Sequence, residues 1–184
     1  MVRHSFPLVA AVTLSGGQLA YAEESAGWLA RVKNEVVETW QEGTPELYLP
    51  LHTEHLRGYY TREKIDSYQE TPWGFGYGHG RFDANGNWHG VYAMGFQDSH
   101  YKPEWLAGYG WKTYWNLAAG AKLGLGYTAG LTTRSDIGHY TPVPLVLPIG
   151  SLDYRDVSLE TTYVPGGRGY GNIFFFSAKW RLGR

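Results

Sequence analysis

From Trp73 to Phe82 the chain reads Trp-Gly-Phe-Gly-Tyr-Gly-His-Gly-Arg-Phe, with glycine at 74, 76, 78 and 80 and a ring at 73, 75, 77 and 79. Few backbones make sense of such a run. A strand sends successive side chains to opposite faces, so one face here is nearly bare and the other mostly aromatic. Asp83-Ala-Asn-Gly-Asn87 follows, and its Asn85-Gly86 is a strong hairpin signal. The chain returns through Trp88 to Gln97 and reaches the polar Asp98-Ser99-His100 where the strand should end. After a loop containing Pro103, Leu106 to Trp115 has the same texture. Three antiparallel strands are predicted, aromatic on one face and small on the other.

The remaining chain extends the pattern. Leu47 to Tyr60 predicts a first strand interrupted by Pro50, and Thr61 to Thr71 reads as an exposed connection. Leu123, Leu125, Tyr127, Ala129 and Leu131 alternate with Gly124, Gly126, Thr128, Gly130 and Thr132. Pro142 to Gly150, Val157 to Val164 and Phe174 to Leu182 supply further strands. The total is about eight strands, joined alternately by short turns and longer loops, as in an up-and-down outer-membrane barrel. A soluble barrel of the lipocalin type also has eight strands, but its apolar face points inward. Here the apolar faces oppose small or polar ones, which places lipid outside. The expected fold class is all-β: an eight-stranded antiparallel transmembrane β-barrel with an N-terminal amphipathic α-helix.

Composition closes off other classes. The chain has 184 residues, a formal charge of −1 and no cysteine. Neither net charge nor a Lys/Arg run favours nucleic acid, and neither a disulfide framework nor a thiolate site is available. Residues 1–22 read as a signal peptide: Arg3 and His4, a modest apolar core, then Ala20-Tyr-Ala22, with cleavage after Ala22. Residues 23–43 predict the amphipathic helix, with Trp28, Leu29, Val32, Val36 and Trp40 on one side and Ser25 as a cap. Its charges suit the membrane interface rather than a span. Residues 44–184 form the barrel.

The glycine face either leaves room for a hydrocarbon chain or merely eases curvature, and the pattern fits both. At the long-loop ends stand His55 and Asp98-Ser99. A histidine takes a proton from an attacking hydroxyl, and a serine and an aspartate supply a nucleophile, a hydrogen bond or an orienting carboxylate. No G-x-S-x-G elbow is present, so residue types alone do not decide. His79, His89, His100 and His139 have no spacing that fits a tetrahedral metal site.

Several long motifs then coincide in order: Trp73-Gly-Phe-Gly-Tyr-Gly78, Asn85-Gly-Asn-Trp-His-Gly-Val-Tyr-Ala-Met-Gly-Phe-Gln-Asp-Ser99, Ala107-Gly-Tyr-Gly-Trp111, Leu123 to Gly130 and Pro142-Val-Pro-Leu-Val-Leu-Pro148. Over essentially the whole mature chain the sequence resembles the PagP family, the lipid A palmitoyltransferases of Gram-negative outer membranes. The resemblance implies an enzyme, without cofactor or metal, that moves a palmitoyl chain from the sn-1 position of a phospholipid donor to a hydroxyl of a lipid A acyl chain in lipopolysaccharide. It puts the family's catalytic residues on His55, Asp98 and Ser99 and its acyl-chain ruler on Gly110. Gly80 and Met94 are expected in the lower cavity, and Asp83 with Arg134 in a polar cluster near the cavity floor. Pro50 and Pro72 on one side, Pro148 and Pro165 on the other, match prolines that open the wall to lipid. A monomer is the default. Glu54 and His100 depart from the family, where tryptophan is expected, and the chain ends Trp180-Arg-Leu-Gly-Arg184 rather than on an aromatic residue. Two other readings remain open, a non-enzymatic lipid-binding barrel and an exported carrier.

Overall fold

The computed structural model describes residues 16–183, with side chains from residue 30 onward. The expected leader lies, up to residue 15, outside the described residues. Helix α1 covers Gly16–Glu42. It therefore runs back through Ser25, which is not its cap. Two short helical turns, Arg57–Tyr59 and Arg62–Asp66, fall in the first long loop. Among the described residues no helix is long and apolar enough to cross a membrane.

The strands are β1 (Thr44–His55), β2 (Gly74–Phe82), β3 (Trp88–Gln97), β4 (Pro103–Asn116), β5 (Ala121–Thr133), β6 (Val143–Tyr154), β7 (Val157–Val164) and β8 (Ile173–Arg181). Each pairs antiparallel with the next and β8 closes on β1, so the sheet is a closed barrel without edges. Turns at 83–87, 117–120 and 155–156 mark one end; the loops 56–73, 98–102, 134–142 and 165–172 mark the other. Expected strand limits hold closely at β2, β3, β5, β7 and β8; β1 starts at Thr44 and stops at His55 because residues 57–59 coil, β4 already includes Pro103, and β6 runs past Gly150 to Tyr154.

Alternation puts the large apolar residues outside. Val146 is 72% exposed, Trp73 70% and Phe75 69%, and Leu49, Trp105, Leu125, Leu131 and Leu159 are exposed with them. A water-soluble domain does not display such a belt. Inside, the glycines of β2 face the bulky residues of β3: Gly74 pairs with Phe96, Gly76 with Met94 and Gly78 with Tyr92. The bare face of one strand thus accommodates the crowded face of the next. Much of the room that the glycines leave is filled by their neighbours.

Two stretches of the wall are unladdered. β1 pairs with β2 only from Thr44 to Tyr48, and β6 pairs with β7 only from Ile149 to Tyr154. Pro50 and Pro72 flank the first seam, Pro148 and Pro165 the second, and a register shift falls between Pro50 and His52. Proline lacks an N–H, so a ladder can stop there without stranding a donor in an apolar surrounding.

Residues Val36–Glu42 of α1 belong to the same compact unit as the barrel. Trp40 stacks on His79 with ring centroids 4.6 Å apart, and Arg81 binds the fully buried Thr39 at 3.2 Å and Glu38 at 3.4 Å.

Candidate active site

A cavity of about 290 Å³ occupies the upper lumen. Tyr92, Met94, Leu106, Leu145, Leu147 and Phe175 give it apolar walls, Asp98, Ser99 and Arg134 stand at the long-loop end, and Trp88, Tyr48 and Ile149 lie at the opposite end. Both aromatic floor residues are fully enclosed, Trp88 at 1% and Tyr48 at 2% exposure.

The floor follows from a row of glycines. Gly80 pairs with Gly90, and Gly90 with Gly110, across β2, β3 and β4. All three lack the Cβ that would collide with the Trp88 indole; at Gly110 it would sit 2.8 Å from Cζ3. Only with the row bare is there room for the ring between β2, β3 and β4. Gly110 therefore touches the floor itself. Gly80 lies against the indole nitrogen and the Glu46 carboxyl, on the polar side of the ring rather than in the cavity wall, whereas Met94 lines the wall, six residues along β3 from Trp88.

Beneath the ring lies a charged cluster that sequence reasoning did not single out. Lys112 Nζ donates to Glu160 Oε1 at 2.5 Å and to Ser151 Oγ at 3.0 Å. Lys179 Nζ lies 3.2 Å from Glu160 and 3.6 Å from Glu46, and Arg181 reaches Glu46 at 3.5 Å. Trp88 Nε1 and Tyr48 OH both donate to Glu46, at 3.1 and 2.8 Å. Lys179 also sits 3.7 Å from the centre of the indole, so cation–π attraction holds the ring from below.

At the mouth, His55 and Ser99 come together. Ser99 Oγ lies 3.2 Å from His55 Nε2, although 44 residues separate them. The other ring nitrogen, Nδ1, lies 2.9 Å from Glu70 Oε1, and Arg57 donates to Glu70 Oε2 at 2.6 Å. Tyr68 stacks on the imidazole at 4.5 Å and Tyr60 meets it edge-on. Burial would raise the Glu70 carboxyl, but the hydrogen bonds from His55 and Arg57 outweigh it and hold the group below its ordinary value. Glu70 is thus a carboxylate at neutral pH.

Asp98 makes no hydrogen bond to His55. Its Oδ1 accepts the backbone N–H groups of His100 and Lys102, both at 2.8 Å, and so shapes its own loop. Oδ2 is buried without a hydrogen-bond partner, with His100 Nδ1 at 3.8 Å and Arg134 at 3.9 Å. The carboxylate facing the histidine is Glu70, a residue read from sequence as part of an exposed connection.

The expected pairing of Asp83 with Arg134 fails. Asp83 lies in the β2–β3 turn, bonded to Asn85 and Asn87, whereas Arg134 lies at the opposite end beside Glu104, at 3.2 Å, and Asp136, at 2.9 Å. The polar groups under the floor are instead Glu46, Lys112, Glu160, Lys179 and Arg181. His52, Glu54 and Glu70 bring possible metal-ligand atoms within 4.8 Å of one another. Arg57 already compensates both carboxylates, at 3.5 Å from Glu54 and 2.6 Å from Glu70, so the set fits an ion-pair network better than a cation site.

Comparison with known proteins agrees with this architecture. The family model described as "Antimicrobial peptide resistance and lipid A acylation protein PagP" matches residues 35–179. A lipid A acyltransferase PagP of Methylobacillus flagellatus is 50% identical over 149 residues, covering 81% of each chain. Another, from Laribacter hongkongensis, is 47% identical over 156 residues, 85% of this chain and 75% of its own. The lipid A palmitoyltransferase PagP of Escherichia coli K12 is 45% identical over 165 residues, 87% and 86%. With His55, Glu70, Asp98, Ser99, Trp88 and all of the barrel but its last two residues inside the family match, the chain belongs to the PagP family.

Proposed function

We propose that the protein is an outer-membrane acyltransferase that moves a palmitoyl chain from the sn-1 position of a glycerophospholipid to a hydroxyl of a lipid A acyl chain. The observation that carries the reading is the Ser99 Oγ–His55 Nε2 contact at 3.2 Å, at the mouth of a closed apolar well. A hydroxyl paired with an imidazole is what acyl transfer requires. The well holds the chain being moved.

In this reading the acyl chain lies in the lumen with its end against Trp88, and the absence of a side chain at Gly110 sets the depth available to it. The ester carbonyl then rests beside Asp98 and Ser99. His55 Nε2 removes the proton from the attacking hydroxyl, either that of Ser99 or that of the lipid A acceptor, and returns it to the leaving glycerol oxygen; in the Ser99 route the lipid A hydroxyl then displaces Ser99 Oγ from the ester, and His55 carries its proton back to Ser99. The two routes differ in one observable, a palmitoyl ester on Ser99. Both lipids reach the mouth sideways, through the seam beside Pro50 and Pro72 and the seam beside Pro148 and Pro165. Cleavage after Ala22, a monomeric barrel and an N-terminal helix lying in the interface complete the proposal.

The test is mass spectrometry of lipid A from a host lacking its own palmitoyltransferase, expressing this chain or His55→Ala. One added palmitoyl group with the parent chain alone is expected, with transfer reduced about 10²- to 10⁴-fold in the variant. If neither adds palmitate although both assemble, the barrel binds lipid without transferring it.

A further inference from the structure

The segment that carries Glu70 is fastened on both sides. The Thr53 N–H donates to the Glu70 carbonyl at 2.8 Å, which ties it to β1 two residues before His55. The Gln69 N–H donates to the Ser99 carbonyl at 3.0 Å, which ties it to the other partner of the site. Gln69 Nε2 also reaches Gln97 Oε1 at 3.1 Å. The end of the first loop therefore occupies the junction between His55 and Ser99. From there Glu70 presents one oxygen to His55 Nδ1 and the other to Arg57.

That geometry bears on which tautomer the imidazole adopts. A neutral histidine has one N–H and one lone pair, and the partner of one nitrogen fixes the role of the other. A carboxylate only accepts, so Nδ1 must donate to it. Nε2 is then left with its lone pair toward Ser99 Oγ. Tyr68 stacked on the ring and Tyr60 against its edge keep the plane in place.

We infer that Glu70, not Asp98, is the positioning residue of the site: it holds His55 as the Nδ1–H tautomer, leaves Nε2 as the base, and stabilises the imidazolium formed during transfer. The inference rests on the reading of His55 as general base. It frees Asp98 for a separate task, because the buried Oδ2 lies at the cavity mouth beside Arg134 and His100 and not on the histidine.

The test combines nitrogen-15 spectroscopy of histidine-labelled protein in detergent micelles with palmitoyl transfer measured on the same samples. It is run at about pH 8.5, well above the ordinary imidazole value. The parent chain should show His55 protonated at Nδ1. Glu70→Ala should move it toward the Nε2–H form and lower transfer by about 10²-fold or more. Glu70→Gln made together with Arg57→Ala, which leaves the amide oxygen free to accept from Nδ1, should restore the Nδ1–H signal. It should also transfer at least tenfold faster than Glu70→Ala with Arg57→Ala.

An unchanged His55 tautomer in Glu70→Ala overturns the inference, whatever the rate does. A loss of transfer that the glutamine does not repair, with the tautomer constant, makes Glu70 a loop tether only. Full transfer by His55→Ala would instead remove the histidine from the chemistry. The spectrum would still report what Glu70 does to the ring, so the two failures stay distinct.

Discussion

Trp88 divides one set of strands into two regions built on different rules. Above it, the lumen has apolar walls around a cavity and the wall has two unladdered seams. Below it, every strand is laddered to both neighbours, and the lumen is closed by Glu46, Lys112, Glu160, Lys179 and Arg181. An apolar plug would also close a small barrel. A charged plug does something more, because an acyl chain gains nothing by passing the ring into a layer of ion pairs. Under the proposed function, the contrast gives the acyl well a definite bottom.

The comparison breaks most visibly if the lower layer is unpaired. Lys112→Met leaves Ser151 without its donor and Glu160 with only Lys179, and removal of one partner from a buried pair costs about 3–5 kcal/mol. Equilibrium urea unfolding in micelles should show that loss, and the double change Lys112→Met with Glu160→Met should recover part of it. Recovery of nothing would mean that the layer is held by more than its charges.

A change at the boundary should have a smaller effect on stability and a sharper one on selectivity. A Cβ at Gly110 would press on Trp88, so Gly110→Ala should cost about 1–3 kcal/mol through overpacking. Gly110→Met, which reaches further up the lumen, should favour acyl chains shorter than palmitoyl by about 10- to 200-fold for each methylene displaced. Competition between phospholipid donors of different chain length measures it. Unchanged selectivity would move the bottom of the well away from Trp88.

The smallest effect belongs to the turn at the far end. Burial pushes the Asp83 carboxyl up, but the hydrogen bonds from Asn87, His89 and Asn85 outweigh it and hold it at about 2, against an ordinary 3.8. A carboxylate depressed in this way stabilises the fold above its ordinary value, and that contribution fades as the pH falls toward about 2. Asp83→Asn should therefore cost about 1 kcal/mol at neutral pH and almost nothing in strong acid. Parallel unfolding curves at the two pH values check it.

How much of this could be read from the chain depends on the kind of order involved. Strand number, the alternation of turns and loops and the outward belt were legible because each follows from period two and local turn chemistry. β3 and β7 fall where the sequence puts them. Strand polarity brought His55 and Ser99 to the same rim, but only the family resemblance singled them out as a site, since nothing local joins residues 44 apart. Glu70 was missed because a loop that folds back over a strand end leaves no periodic signature. The ion-pair layer was half visible: Lys179 and Arg181 share the polar parity of the last strand, but their partners emerge only from the register around the closed barrel.

The seams also have a mechanical meaning. Below Trp88 the fully laddered wall works as a hoop, whereas from Val143 to Pro148 the upper end of β6 is braced on one side only, by β5. The upper end of β1 is likewise laddered to β8 alone, with ties to Glu70 only at Thr53 and His55. Such ends behave as cantilevers rooted in a stiff ring. They can splay while the floor stays still, because bending at a free end is not transmitted past its root. A barrel with an evenly laddered wall would have to ovalise as a whole to admit the same guest, and its floor would move with it.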